Sequence, residues 1–90
     1  MSTDWGWAYD PDHAHVAGGI PATISAEVER LAGQLADLAS MGIDLSEFGN
    51  GPRPGGLRRM EAAGGWFYFL AAAKDRLIVI VRIIPPFEAV

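Results

Sequence analysis

Basic side chains, which can bind phosphate or carboxylate groups, are concentrated in the second half of this 90-residue chain. Residues 51–90 hold six bases and three acids, residues 1–50 hold one base and eight acids, and the total charge is −4. The six bases are Arg53, Arg58, Arg59, Lys74, Arg76 and Arg82. We therefore expect a polyanion or an acidic partner to be drawn to the second half.

Two aspartates and two histidines near the N-terminus form a second group with possible chemistry, because carboxylates and imidazoles bind metal ions. Asp10 precedes Pro11, and proline is typical of the first position of a helix. On a helix, His13 and His15 would diverge. We therefore predict no metal site and interpret Asp10 and Asp12 as acids that complement a helix dipole. The chain has no cysteine and no phosphate-binding glycine loop, so no cofactor is predicted.

The first half predicts one strand and two helices. Aromatic residues alternate with small residues over 5–9, which is typical of a short strand. A short helix is predicted over residues 11–17. The main helix is predicted to begin at Pro21 and to end near Gly42, because apolar residues recur at spacings of three and four. Those apolar residues are Ile24, Val28, Leu31, Leu35 and Leu38.

The second half predicts a long loop followed by three strands. Residues 49–56 are rich in glycine and proline, which indicates the loop. Strands are predicted over 57–62, 66–72 and 77–84, and the last two are apolar enough to be central strands buried on both faces. The chain is therefore predicted to be one α+β domain over residues 1–90, with two N-terminal helices packed on an antiparallel sheet of about four strands.

The sequence predicts a cytoplasmic protein with no membrane partner. Residues 1–10 lack the basic segment and apolar run of a signal peptide. The longest apolar stretch, over 77–84, is far shorter than the roughly 20 residues that span a bilayer as a helix. The lack of cysteine fits a reducing compartment.

The order of these elements resembles that of the RelE/ParE toxin superfamily of bacterial toxin–antitoxin systems. The resemblance covers nearly the whole chain and rests on five segments. They are Trp7-Ala8-Tyr9-Asp10-Pro11-Asp12, Ile20-Pro21, Leu57-Arg58-Arg59-Met60, Gly65-Trp66-Phe67-Tyr68-Phe69-Leu70 and Lys74-Asp75-Arg76-Leu77-Ile78-Val79-Ile80-Val81-Arg82. It implies a strand, a short helix, a long helix, a loop and a three-strand meander.

This resemblance also implies a toxin-like function, directed at ribosome-bound mRNA or at DNA gyrase and neutralised by an antitoxin protein. The ribosome-dependent members look like mRNA endonucleases that cut with basic residues on the sheet. On that basis Arg58, Arg59 and Arg82 are the candidate catalytic residues, because cations can stabilise charge on a scissile phosphate. The candidate nucleic-acid-binding residues are Arg53, Lys74 and Arg76.

The alternative prediction is a non-catalytic protein-interaction module on the same fold. Phe67 stands where the superfamily commonly has an arginine. Pro85-Pro86-Phe87 stands where a basic or aromatic catalytic group is expected. The acidic total also departs from toxins that are usually basic.

The candidate arginines also have structural interpretations. Arg58 and Arg59 are neighbours on a strand, so they point to opposite faces and could be a solvated pair at a sheet edge. Arg82 interrupts an apolar strand, where a buried arginine needs a partner. Pairing of Arg82 with Glu61 or with a terminal carboxylate is the preferred interpretation.

Association with another chain is predicted from the two apolar strands over 66–72 and 77–84. Two helices can cover only one face of their sheet, so the other face would expose a large apolar patch. We expect an antitoxin segment or a second copy of the chain, as a homodimer, to cover that patch. Trp5, Trp7 and Trp66 could form a stacking platform, although packing in the core or an interface is preferred.

Overall fold

The structure, a computed structural model, describes residues 4–45, 48–49, 51 and 56–86. It is an α+β fold in which two helices and four strands follow one another along the chain. The elements are β1 (Gly6–Tyr9), α1 (His13–Ala17), α2 (Ala22–Ser40), β2 (Arg58–Ala62), β3 (Gly65–Ala72) and β4 (Leu77–Ile84). The α+β class, the two helices and the four strands are therefore confirmed, and both helices follow the first strand.

The four strands form one mixed sheet in the order β1-β4-β3-β2. Two antiparallel hairpins join β2 to β3 and β3 to β4, whereas β1 lies parallel to β4 with Gly6 opposite Leu77. The prediction of an antiparallel sheet is therefore wrong for this one pair. Turn residues in the sequence determine the relative direction of strands that a short turn joins. Both helices and two strands separate β1 from β4 along the chain. No local signal in the sequence therefore determines whether β1 and β4 run parallel or antiparallel.

Helix α2 supplies most of the helical packing surface, and both of its ends follow from the sequence. Pro21 occupies the N-cap position, where its missing N–H costs nothing. At the other end the N–H groups of Gly42 and Ile43 donate to the carbonyls of Ala39 and Leu38, at 2.9 and 3.1 Å. Gly42 adopts φ +88°, the left-handed conformation that glycine accepts most easily at a helix end.

The core lies between the two helices and one face of the sheet. Phe67 and Phe69 of β3 and Ile78 and Ile80 of β4 are fully buried there. The buried stripe of α2 packs against them, together with Val16 of α1. Burying large side chains of this kind is worth about 1.5–3 kcal/mol each, so this layer holds the sheet against the helices.

No helix of the described residues packs on the opposite face of the sheet. Its β3 and β4 positions are partly exposed, and Trp66 reaches 38% exposure. The prediction that the two central strands are buried on both faces is therefore wrong, although their central position is confirmed. Both helices pack on the side of Phe67 and Ile78, so nothing in the described part of the chain covers the second face.

Candidate functional site

The uncovered sheet face, called the open face below, brings two of the predicted arginines into one row. It is formed by alternate residues of β2 and β3 and by the residues of β4 that lie opposite those of β3. They are Arg59 and Glu61 of β2, Trp66, Tyr68 and Leu70 of β3, and Val79, Arg82 and Ile84 of β4. Tyr68 lies opposite Arg59 on one side and opposite Arg82 on the other. Neighbouring strands lie about 4.8 Å apart, so the two arginine backbones are about 10 Å apart across Tyr68.

A β-bulge in β4 directs Arg82 to the open face. Tyr68 is opposite Arg82 and Phe69 is opposite Ile80, so Val81 is an extra residue in β4. If side chains alternated strictly along β4 from buried Ile80, Arg82 would point towards the core. The extra residue moves the side chain of Arg82 to the other side of the sheet. Arg82 is exposed and has no ion pair with any residue of the described ranges.

The preferred interpretation of Arg82, pairing with a carboxylate, is therefore wrong for Glu61. Glu61 stands opposite Trp66, one row further along the sheet, and makes no ion pair with Arg82. The terminal carboxylate lies outside the described residues. The bulge removes the reason for a pair, because an exposed guanidinium needs no buried counter-ion.

Arg59 is stacked on the aromatic surface of the same face. Its guanidinium carbon lies 4.9 Å from the ring centre of Trp66, within the range of a cation–π interaction. Arg59 is exposed, as expected for a residue on an edge strand. The contact holds the cation beside an apolar surface, where it can still meet a ligand.

Beside this row the open face has a shallow apolar groove of about 520 Å³. Its lining is aliphatic and aromatic apart from one guanidinium and one phenol. The lining residues are Leu57, Trp66, Tyr68, Val81, Arg82 and Ile84. A concave apolar surface with a few polar groups is typical of binding sites, and this volume could accept several side chains of a partner.

Arg58, although adjacent to Arg59, lies on the core side of the sheet. Its side chain is buried, with Nε donating to the carbonyl of Phe48 at 2.8 Å and Nη2 donating to that of Gly49 at 3.0 Å. Gly49 has φ +72°, and a Cβ at this position would lie 2.5 Å from the carbonyl oxygen of Arg59. These hydrogen bonds of Arg58 therefore hold the loop against β2. The structural interpretation expected a solvated pair at the sheet edge, and of the two arginines only Arg59 is solvated.

The remaining basic candidates are not part of this row. Lys74 and Arg76 are exposed in the tight turn between β3 and β4. Lys74 lies beyond the end of β3 at Ala72, and the four residues from Tyr68 to that end already span about 13 Å. Arg53 lies outside the described residues. The structure thus joins Arg59 with Arg82 and separates both from Arg58, Lys74 and Arg76.

Asp12 and His15, near the N-terminus, are structural partners of each other. Asp12 caps α1, since its Oδ1 accepts the N–H of His15 at 2.9 Å and also lies 2.9 Å from His15 Nδ1. These hydrogen bonds lower the pKa of Asp12, and the bond to the side chain of His15 has the largest effect. Tyr9 donates to Glu29 at 2.8 Å, and burial together with that carboxylate raises its pKa. No group of three or more possible metal ligands occurs among the described residues.

Sequence reasoning missed Tyr68 as the centre of the row, although a signal for it exists. Ala63 and Gly64 both have positive φ and form a two-residue hairpin loop between Ala62 and Gly65. Such a loop determines the register of the strands that it joins. Counting back from it places Arg59 opposite Tyr68, whereas no comparable signal reveals the bulge in β4.

No known protein-family model, curated protein or solved structure matches the chain. Within the described residues no helix combines the length and the apolar character needed to cross a membrane.

Proposed function

We propose that this chain is a non-catalytic interaction module whose open face binds a segment of a protein partner. The observation that carries the proposal is the apolar central part of the sheet, which neither helix covers and which contains the groove beside Trp66 and Tyr68. Exposed apolar patches of this kind on small proteins commonly mark interaction sites. A cytoplasmic location, predicted from the sequence, is part of the proposal.

Site-specific photo-cross-linking in the native host tests this proposal. A benzoylphenylalanine in place of Tyr68 lies in the middle of the open face, whereas the same residue in place of Gln34 lies exposed on α2. We expect a discrete cross-linked protein with the probe at Tyr68 and none with the probe at Gln34. Equal products from both positions, or no product from either, would contradict the proposal.

A toxin-like function, as the RelE/ParE resemblance implies, is the second candidate. The row of Arg59, Tyr68 and Arg82 favours it, because two cations and a phenol could face a phosphate and move a proton. Its targets would be ribosome-bound mRNA or gyrase, and an antitoxin would cover the same face.

Induced expression distinguishes this candidate from the first. A toxin should arrest growth, and the paired substitution Arg59→Ala with Arg82→Ala should restore it, while Lys74→Ala should not. Normal growth at high levels of folded protein would exclude the toxin-like function and leave the interaction module.

A further inference from the structure

We infer that the partner segment bound by the open face is acidic and amphipathic, with two carboxylates placed on Arg59 and Arg82 and apolar side chains in the groove. This inference rests on the proposed function, since it names the chemistry of the partner. Neither arginine has an ion pair with a described residue, and both are exposed. Glu61 is the only acid at a strand position of this face.

Charge argues against a second copy of the chain as the occupant. At the strand positions of the described residues, a face-to-face pair would bring together four arginines, two from each copy, and the two copies of Glu61 would offset them only in part. Like charges in an interface oppose association, whereas opposite charges promote it. A partner that supplies carboxylates therefore complements this face better than the face complements itself.

Charge also argues against nucleic acid. A nucleic-acid surface normally has a basic patch that neutralises several phosphates. Among the described residues the open face has two cations, and the chain as a whole carries −4. A short segment with two carboxylates matches that number of cations, whereas a polyphosphate backbone exceeds it.

The spacing of the arginines limits the geometry of the partner. Their backbones lie about 10 Å apart, which matches carboxylates seven residues apart on a helix, since each residue rises about 1.5 Å. Apolar residues between those carboxylates would lie over Tyr68 and the groove. The burial of these side chains would provide affinity, while the two ion pairs would determine the register.

A display library of random peptides tests the inference, with the full chain as the target. Each peptide is about 15 residues long, which corresponds to about four helical turns. We expect the recovered peptides to combine at least two acids with apolar residues. Synthetic copies should shift the amide resonances of Tyr68 and Val79. Arg82→Glu and Arg59→Glu should each weaken their binding about tenfold or more. Lys74→Glu, which changes the net charge equally, should change binding less than about twofold.

The possible outcomes separate the inference from the function on which it rests. Peptides that shift open-face resonances without acidic enrichment, or that bind Arg82→Glu as well as the natural chain, would overturn the acidic partner alone. Recovery of no peptide that shifts these resonances would overturn the proposed function as well. Circular dichroism of each variant, with Arg82→Gln and Arg59→Gln as milder substitutions, separates lost charge from lost folding.

Peptide binding is also expected to weaken as the salt concentration rises, because salt screens the ion pairs. An affinity that does not change with salt would count against the ion pairs.

Discussion

Two neighbouring arginines in β2 have opposite roles, because successive residues of a strand face opposite sides of the sheet. Arg58 is 7% exposed and donates two hydrogen bonds to loop carbonyls, whereas Arg59 is exposed and stacks on Trp66. At the residue scale, Arg58 therefore belongs to the stability of the fold and Arg59 to its binding surface.

Replacement of Arg58 by methionine should lower the free energy of unfolding by about 2–4 kcal/mol, since charged hydrogen bonds are lost and two carbonyls lose their donors. Arg59→Met is the matched control and should cost less than about 1 kcal/mol, because it loses only an exposed cation–π contact. Urea unfolding measures both values. Equal losses in the two variants would show that the contacts of Arg58 with Phe48 and Gly49 do not stabilise the loop.

At the element scale, two glycines should respond in opposite ways to the same substitution. Gly33 lies inside α2 with nothing within 4 Å of an added Cβ, so Gly33→Ala should stabilise the protein by about 0.5–1 kcal/mol. At Gly65 a Cβ would lie 2.1 Å from the carbonyl oxygen of Ile84. Gly65→Ala should therefore cost about 1–3 kcal/mol through forced movement of the backbone. Thermal unfolding of the two variants checks both signs, and destabilisation by Gly33→Ala would contradict the open space beside α2.

The N-cap of α1 should make the stability of that helix depend on pH. The pKa of Asp12 is lowered below its usual value of 3.8 by its hydrogen bonds with His15. The stabilising effect is therefore present above pH 3.8 and is lost as the pH falls through the lower pKa of the folded protein. Amide resonances of residues 13–17 should report this change between about pH 5 and about pH 2. Asp12→Asn keeps a capping oxygen without the ionisation, so the same acid range should leave its helix unchanged.

Local patterns in the sequence predict most elements, and non-local relations explain the errors. The apolar spacing and Gly42 determine α2, and turn residues determine the two hairpins. The parallel pairing of β1 and the bulge at Val81 depend on contacts between distant residues, which periodicity does not contain. Within the candidate site, the pairing of Arg59 with Tyr68 could be predicted by counting residues back from the hairpin loop. The exposure of Arg82 could not be predicted, because in a strand without a bulge its side chain would point towards the core.

At the scale of the whole molecule, the open face should make the isolated chain associate weakly and reversibly. Apolar burial favours the contact, and the four arginines oppose it, so association should become stronger as salt rises. Binding of an acidic partner should respond to salt in the opposite direction. Val79→Lys, at the centre of the face, should keep the chain monomeric in light scattering, while Gln34→Lys on α2 should not. If the natural chain stayed monomeric at every concentration and salt level, the open face would not promote self-association as its apolar composition predicts.

The parallel pairing of β1 with β4 also governs when the nascent chain can fold. Gly6 and Leu77 are partners although they lie 71 positions apart. A ribosome makes β1 first, so Trp7 and Tyr9 leave the exit tunnel long before the strand that they must join. The helices can form meanwhile, but their apolar stripe has no sheet to cover it until β4 is released. Completion of the fold therefore waits for the release of β4, and stalled chains that lack β4 should be substrates for chaperones that bind exposed apolar segments.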